Sequence, residues 1–161
     1  MIEPPDMVRE YFEAAGWYRG RSVPVFSVPR DHIAWEVLTA FSGLKIVERT
    51  TNDPIEELVF RELLPWPLVT DRWSDLLGTQ LIGIADHHNG HGELYIAADG
   101  RCFCASCVHD AFCFVGDSLF QATETILLGR RSKPMLRPDQ DSVRLYGERF
   151  VADSPELYRY G

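Results

Sequence analysis

In QLIGIADHHNGHGELYIAADGRCFCA, residues 80–105, three apolar runs are separated by two turn signals. QLIGIA, ELYIA and RCFCA carry the aliphatic and aromatic residues that suit a pleated, half-buried surface. Between the second and third runs stands Ala98-Asp99-Gly100. Asp-Gly between such runs is a strong short hairpin signal, because glycine accepts the positive φ the turn demands. Between the first and second, DHHNGHG is polar and contains Asn89-Gly90, again turn chemistry. The reading is a meander of short antiparallel strands.

Working outward, FCFVG (112–116) predicts the last strand. A helix follows, capped at Asp117 or Ser118, with Leu119, Ala122, Thr123, Ile126 and Leu127 as its inner face and Gly129 as its end. Upstream, LKIVE (44–48) and ELVFRE (57–62) predict two strands joined by the polar turn RTTNDPIE. The proline-rich LLPWPL (63–68) leads to a short helix with Thr70 as its cap, DRWSDLL as its body and Gly78 as its stop. Two helices come first. One runs from about Pro5 to Ala15, with Val8, Tyr11, Phe12 and Ala15 on one face. The other runs from Asp31 to about Ser42, with Ala34, Val37, Leu38 and Phe41 buried and Gly43 as its stop. SVPVFSVPRD between them carries two prolines and reads as extended linker or edge. This order is not an alternation of strand and helix. It predicts an α+β fold, a mainly antiparallel sheet flanked by about four helices.

A chain of 161 residues with 45% hydrophobic and 25% charged residues can bury a single core. Its net charge is −8, unevenly spread: residues 1–129 hold 19 Asp and Glu against 9 Lys and Arg, whereas residues 130–161 hold 5 against 7. An acidic body is a poor nucleic-acid binder, since phosphate contacts need Lys and Arg. It suits a basic protein partner. No apolar run approaches the ~18–20 residues that span a bilayer, and MIEPPDMVRE has no secretory or transit pattern, so the expected address is the cytosol with no membrane partner.

Four ordered motifs carry a resemblance: AAGWYRGRSV (14–23), AWEVLTAFSGLKI (34–46), LLGTQLIGIADHHNGHGELYIAADGRCF (76–103) and VGDSLFQATETILLG (115–129). Together they resemble the third subfamily of the SUKH superfamily, bacterial immunity proteins of polymorphic toxin systems. The resemblance implies a single domain over residues 1–129 and a cytosolic, non-enzymatic role without a cofactor. The partner it implies is a cognate toxin, often a nuclease or a nucleic-acid deaminase. Residues 130–161 lie past the matched part as an extension that either docks as a small strand or stays mobile. Within the motifs, Gly16, Trp17, Gly20, Arg21, Gly43, Asp99 and Gly100 look fold-defining. Trp17 is expected to be buried, and Arg21 to bridge to backbone carbonyls or a carboxylate.

Other constellations compete for a chemical role. Cys102, Cys104, Cys107 and Cys113 lie within twelve residues of one another, with His109 among them. The spacing C-x-C-x2-C-x5-C differs from the paired knuckles of structural zinc. Reduced core thiols are therefore expected, with a disulfide or a zinc site as alternatives. Asp86, His87, His88, Asn89 and His91 form a polar loop without a metalloprotease pattern. No nucleophile elbow, phosphate loop or dinucleotide fingerprint occurs. What remains is acidic surface: Glu48, Asp53, Glu56, Glu57 and Glu62 on the first hairpin, then Asp71 and Asp75 on the helix after it, with Trp66 and Trp73 as exposed aromatic anchors. Such carboxylates can stand in for phosphates in a toxin's basic active-site cleft. A zinc-dependent regulator or enzyme, and a scaffold without a toxin partner, are the alternative functions.

Overall fold

The computed structural model describes residues 1–48, 57–87 and 90–161. Among them, seven strands form one sheet in strict chain order, each antiparallel to the next: β1 (Lys45–Val47), β2 (Glu57–Phe60), β3 (Leu81–His87), β4 (Gly92–Ala97), β5 (Cys102–Ser106), β6 (Phe112–Gly116) and β7 (Lys133–Met135). The helices α1 (Arg9–Ala14) and α2 (Ile33–Phe41) precede the sheet, α3 (Ser74–Leu77) falls between β2 and β3, and α4 (Leu119–Leu127) falls between β6 and β7. A two-stranded ribbon, β8 (Ser142–Leu145) and β9 (Glu148–Val151), completes the α+β domain.

Alternation in the strands sorts the core into two halves. Leu58, Phe60, Leu94, Ile96, Cys102 and Cys104 face α1, α2 and α4, where Phe12, Phe41 and Phe60 meet at centroid distances of 5.1–6.0 Å. Tyr95, Ala97, Phe103, Ala105, Phe112 and Phe114 face the opposite side and pack with Val69, Trp73 and Met135. Both faces of the sheet are covered, so its central strands read as almost continuous apolar runs.

Local chemistry fixes the corners. At the end of α1, Gly16 takes φ +107° and the Trp17 N–H returns to the Phe12 carbonyl at 2.9 Å. That closure folds Trp17 onto the last turn, 7% exposed and beneath the Arg9 guanidinium. Four residues on, Arg21 donates to the carbonyls of Ala40 and Ser42, both at 2.8 Å, satisfying the last turn of α2 from the side. Gly43 (φ +89°) turns the chain into β1, and the Arg21 guanidinium runs close beside it. The Asp99-Gly100 turn joins β4 to β5, with the Asp99 carboxylate accepting from the Arg101 N–H and Nε.

Several boundaries differ from the sequence reading. Regular α1 begins at Arg9 rather than Pro5, because residues 6–8 form a turn. The cap of α2 is His32, whose Nδ1 accepts from the Ala34 N–H. The helix expected to start at Thr70 begins at Leu68 as a π-helical turn, Leu68–Trp73, running into α3. Pro67 stands ahead of its first turn in helical φ, and the Thr70 hydroxyl donates to the Trp66 carbonyl instead of capping. Nor is β6 the last strand. β7 pairs with it through Cys113↔Pro134, a proline tolerated because β7 is the edge strand of the sheet. Trp73, expected on the surface, is 1% exposed and stacked on Phe112 at 4.6 Å. The π-turn aims it at the sheet, where the largest apolar side chain finds the deepest site.

Candidate functional site

The two sides of the sheet end differently beyond Gly92 and Ser106. On the face opposite α1 and α2, Glu57, Val59, Asp86 and Glu93 share one side of β2, β3 and β4, set by the registers Val59↔Asp86 and Asp86↔Glu93. Each carboxylate is held by a neighbour. Lys45 pairs with Glu57 at 3.4 Å, Arg61 donates to Asp86 at 2.5 Å, and the Tyr95 hydroxyl donates to Glu93 at 2.5 Å. Burial, then the Glu93 carboxylate, raises the Tyr95 pKa, so it remains a donor. Across this face the segment after β2 lays Leu63 against Gly83, where any side chain would collide with it. Leu64 is left 85% exposed and Trp66 half-buried. Trp66 and Leu68 line a cleft of about 280 Å³, with Cys107, Val108 and Asp110 on its other wall.

The acidic residues picked out in the sequence divide around this surface. Glu57 belongs to it. Asp71 and Asp75 are exposed on the π-turn and α3. Glu48 instead lies toward α1: burial first, then Glu48 and Glu10, raises the Tyr11 pKa. Glu62 is spent internally, accepting from the Phe26 and Ser27 N–H groups at 3.2 and 2.6 Å and so tethering the proline-bearing linker. Asp53 and Glu56 lie outside the described residues. Asp86 and Glu93 were not singled out as toxin contacts, although each occupies the polar phase of its strand.

On the helix face a second cleft, of about 620 Å³, gathers parts of both chemical constellations. His87, His91, Cys104, His109 and Cys113 line it, with Arg130, Arg131 and Tyr146 across the opening. His87 ends β3 with its imidazole over Gly92, so close that a Cβ on Gly92 would collide with the ring. His88 and Asn89 are outside the described residues. Cys104 and Cys113 are opposite neighbours in β5 and β6. All four cysteines are thiols. Burial pushes Cys113 up to about 12 and raises Cys102 further still. Cys107 is exposed; its pKa is raised by partial burial and then by Glu93 and Asp86. Among the described residues no three His, Cys, Asp or Glu side chains converge as metal ligands. Cys102 and Cys104 turn toward the core, while Cys107 and His109 sit out on the β5–β6 loop.

That loop is fixed from outside. Arg137, itself buried, grips Asp110 with both guanidinium nitrogens at 2.8 Å and also reaches Asp139 at 3.1 Å. This fork holds the Asp110 carboxyl below its ordinary range.

The family model for the SUKH-3 immunity protein matches residues 4–129. The chain belongs to that family. No curated protein and no solved structure matches it. In this SUKH-3 protein the residues beyond the match are built into the domain. Tyr158 stacks on Phe114 at 4.2 Å, and its N–H donates to the Pro134 carbonyl. Tyr160 meets Trp73 edge-on at 5.6 Å. Val143, Phe150 and Leu157 close a third small apolar cluster around Ala111. No helix is long and apolar enough to cross a membrane among the described residues.

Proposed function

We propose that this SUKH-3 protein neutralises a cognate protein toxin in the cytosol, placing the carboxylates of its outer sheet face in the toxin's basic active-site cleft. Family membership carries the proposal. The outer face supports it with Glu57, Asp86 and Glu93 on one side of three strands, and exposed Asp71 and Asp75 nearby in sequence. Leu64 and Trp66 supply apolar contact area beside them, the kind of anchor that dominates protein interfaces. Trp73 plays no part, being buried. The toxin class that fits is a nuclease or nucleic-acid deaminase, whose phosphate-binding cleft is positively charged. The chain acts as a binding module rather than an enzyme, and its partner is a protein rather than a nucleic acid or a membrane, because an acidic face repels phosphates.

Growth rescue with co-purification tests this. The toxin candidate encoded beside the gene is induced with and without this protein, and the pair is then pulled down. Rescue with a stable one-to-one complex is the expected result. A harmless neighbour, or one that does not bind, removes the assignment. Charge reversal at Glu57 then separates the outer face from other contact surfaces.

A further inference from the structure

Arginines in this acidic chain are almost all engaged. Among the thirteen described, ten bond or pair with carboxylates or backbone carbonyls, and Arg30 lies over the Trp35 ring. Arg144 and Arg149 do neither. They stand directly opposite each other in the β8–β9 ribbon, both exposed. Their neighbours Val143 and Phe150 turn the other way, into the small cluster with Ala111 and Leu157, so the two guanidiniums share the outward face. Like charges directly opposite on a ribbon are destabilising. The ribbon therefore keeps an unfavourable pair where substitution is unconstrained by packing. Lys133, exposed on the adjoining edge strand β7, adds a third cation without an ion pair among the described residues.

We propose that the outward face of the β8–β9 ribbon, centred on Arg144 and Arg149, docks a carboxylate-rich segment of the toxin. This rests on the reading of the chain as a toxin-binding protein, and gives it a second contact of opposite polarity to the outer sheet face. Two guanidiniums a cross-strand distance apart match neighbouring side-chain carboxylates, each able to accept a forked pair of hydrogen bonds. Nucleic acid is the poorer occupant, since a polyanion must also approach a body of net charge −8. A protein with a basic catalytic cleft, by contrast, can present acidic segments elsewhere on its surface. Opposed polarity at two contacts fixes the orientation of the complex, because a rotated arrangement sets like charge against like.

The test uses full-length protein. Replacing Arg149 by Glu turns the like pair into an attractive one, so R149E raises the melting temperature of the free protein by about 1–3 °C. The same substitution, and R144E, weakens toxin binding by about tenfold. R144Q/R149Q removes charge without reversing it and gives an intermediate loss. In parallel, isotope-labelled protein is titrated with a synthetic Glu/Ser peptide and with a single-stranded oligonucleotide of equal charge. Resonance shifts at Arg144 and Arg149 with the peptide alone support the proposal. Equal shifts with the oligonucleotide, peptide shifts elsewhere, or unchanged toxin affinity in R149E overturn it. Absence of growth rescue by the wild type counts against the immunity function itself, whereas rescue that R144E/R149E retains in full counts only against the ribbon.

Discussion

At the scale of single residues, Arg21 is the most consequential polar side chain of the N-terminal third. It replaces the absent next turn of α2 for two carbonyls, and its guanidinium runs beside Gly43, where the chain enters β1. Hydrogen bonds to a charged group contribute more than neutral ones, and truncation leaves both carbonyls to find water. Arg21→Ala should therefore cost about 2 kcal/mol, read as a lower denaturation midpoint with an unchanged slope. Arg21→Lys recovers part of that at most, because one ammonium cannot reproduce the guanidinium fork.

The thiols make a second residue-scale case. Cys102, Cys104 and Cys113 are buried, and at Cys102 and Cys113 desolvation disfavours the thiolate that reacts. Cys107 is exposed but carries a raised pKa. In native protein an aromatic disulfide reagent should modify one thiol, with a rate that climbs as pH passes the ordinary cysteine range. All four should react in denaturant. Fast reaction of more than one native thiol would contradict the burial of the strand cysteines.

At the scale of elements, the β5–β6 loop and the C-terminal segment depend on each other through Arg137 and Asp110. The folded Asp110 pKa is depressed below its ordinary 3.8, first by hydrogen bonds from Arg137. Its contribution is thus complete above about pH 4 and is lost as pH falls through the folded value. Because the Asp110 side chain is substantially exposed, solvent screens the pair and the effect is modest. Melting temperatures measured from pH 7 down to pH 2 should show a steeper acid decline for the wild type than for Asp110→Asn. Parallel curves would mean that the latch contributes nothing. The same dependence explains why the segment after Gly129 is ordered although it is short of apolar periodicity. Its tyrosines complete aromatic packing that the meander leaves open, with Tyr158 on Phe114 and Tyr160 on Trp73.

Across the whole molecule, charge is distributed by region rather than by residue. The outer face and α3 present carboxylates, and the ribbon presents arginines. If the outer face steers association, the rate should fall with added salt as the Debye length shrinks from about 10 Å at 0.1 M to about 3 Å at 1 M. Replacing Glu57, Asp71 and Asp75 together by Lys should slow association about tenfold. Stopped-flow association with the partner provides the check. Equal rates across salt would place the dominant contact off this face.

The sequence by itself determined the meander, the helix order and their stops. These follow from signals a few residues long: Asp99-Gly100, Gly16 before Trp17, Gly43 after Phe41, and Ser118 three residues ahead of the Gln121 N–H it caps. Local sterics and hydrogen bonding fix such features before any tertiary contact forms. Only the tertiary structure decided what faces what. Trp73 looks like an exposed anchor in DRWSDLL until the π-turn rotates it onto Phe112. Glu62 looks like free surface charge until two N–H groups, more than thirty residues upstream, close on it. Glu48 and Glu57 sit in one short hairpin yet lie on opposite sides of it. The pairing of Arg137 with Asp110 joins residues 27 positions apart. These are non-local choices, governed by which surface each side chain can reach once the sheet has closed, and no spacing within the chain encodes them.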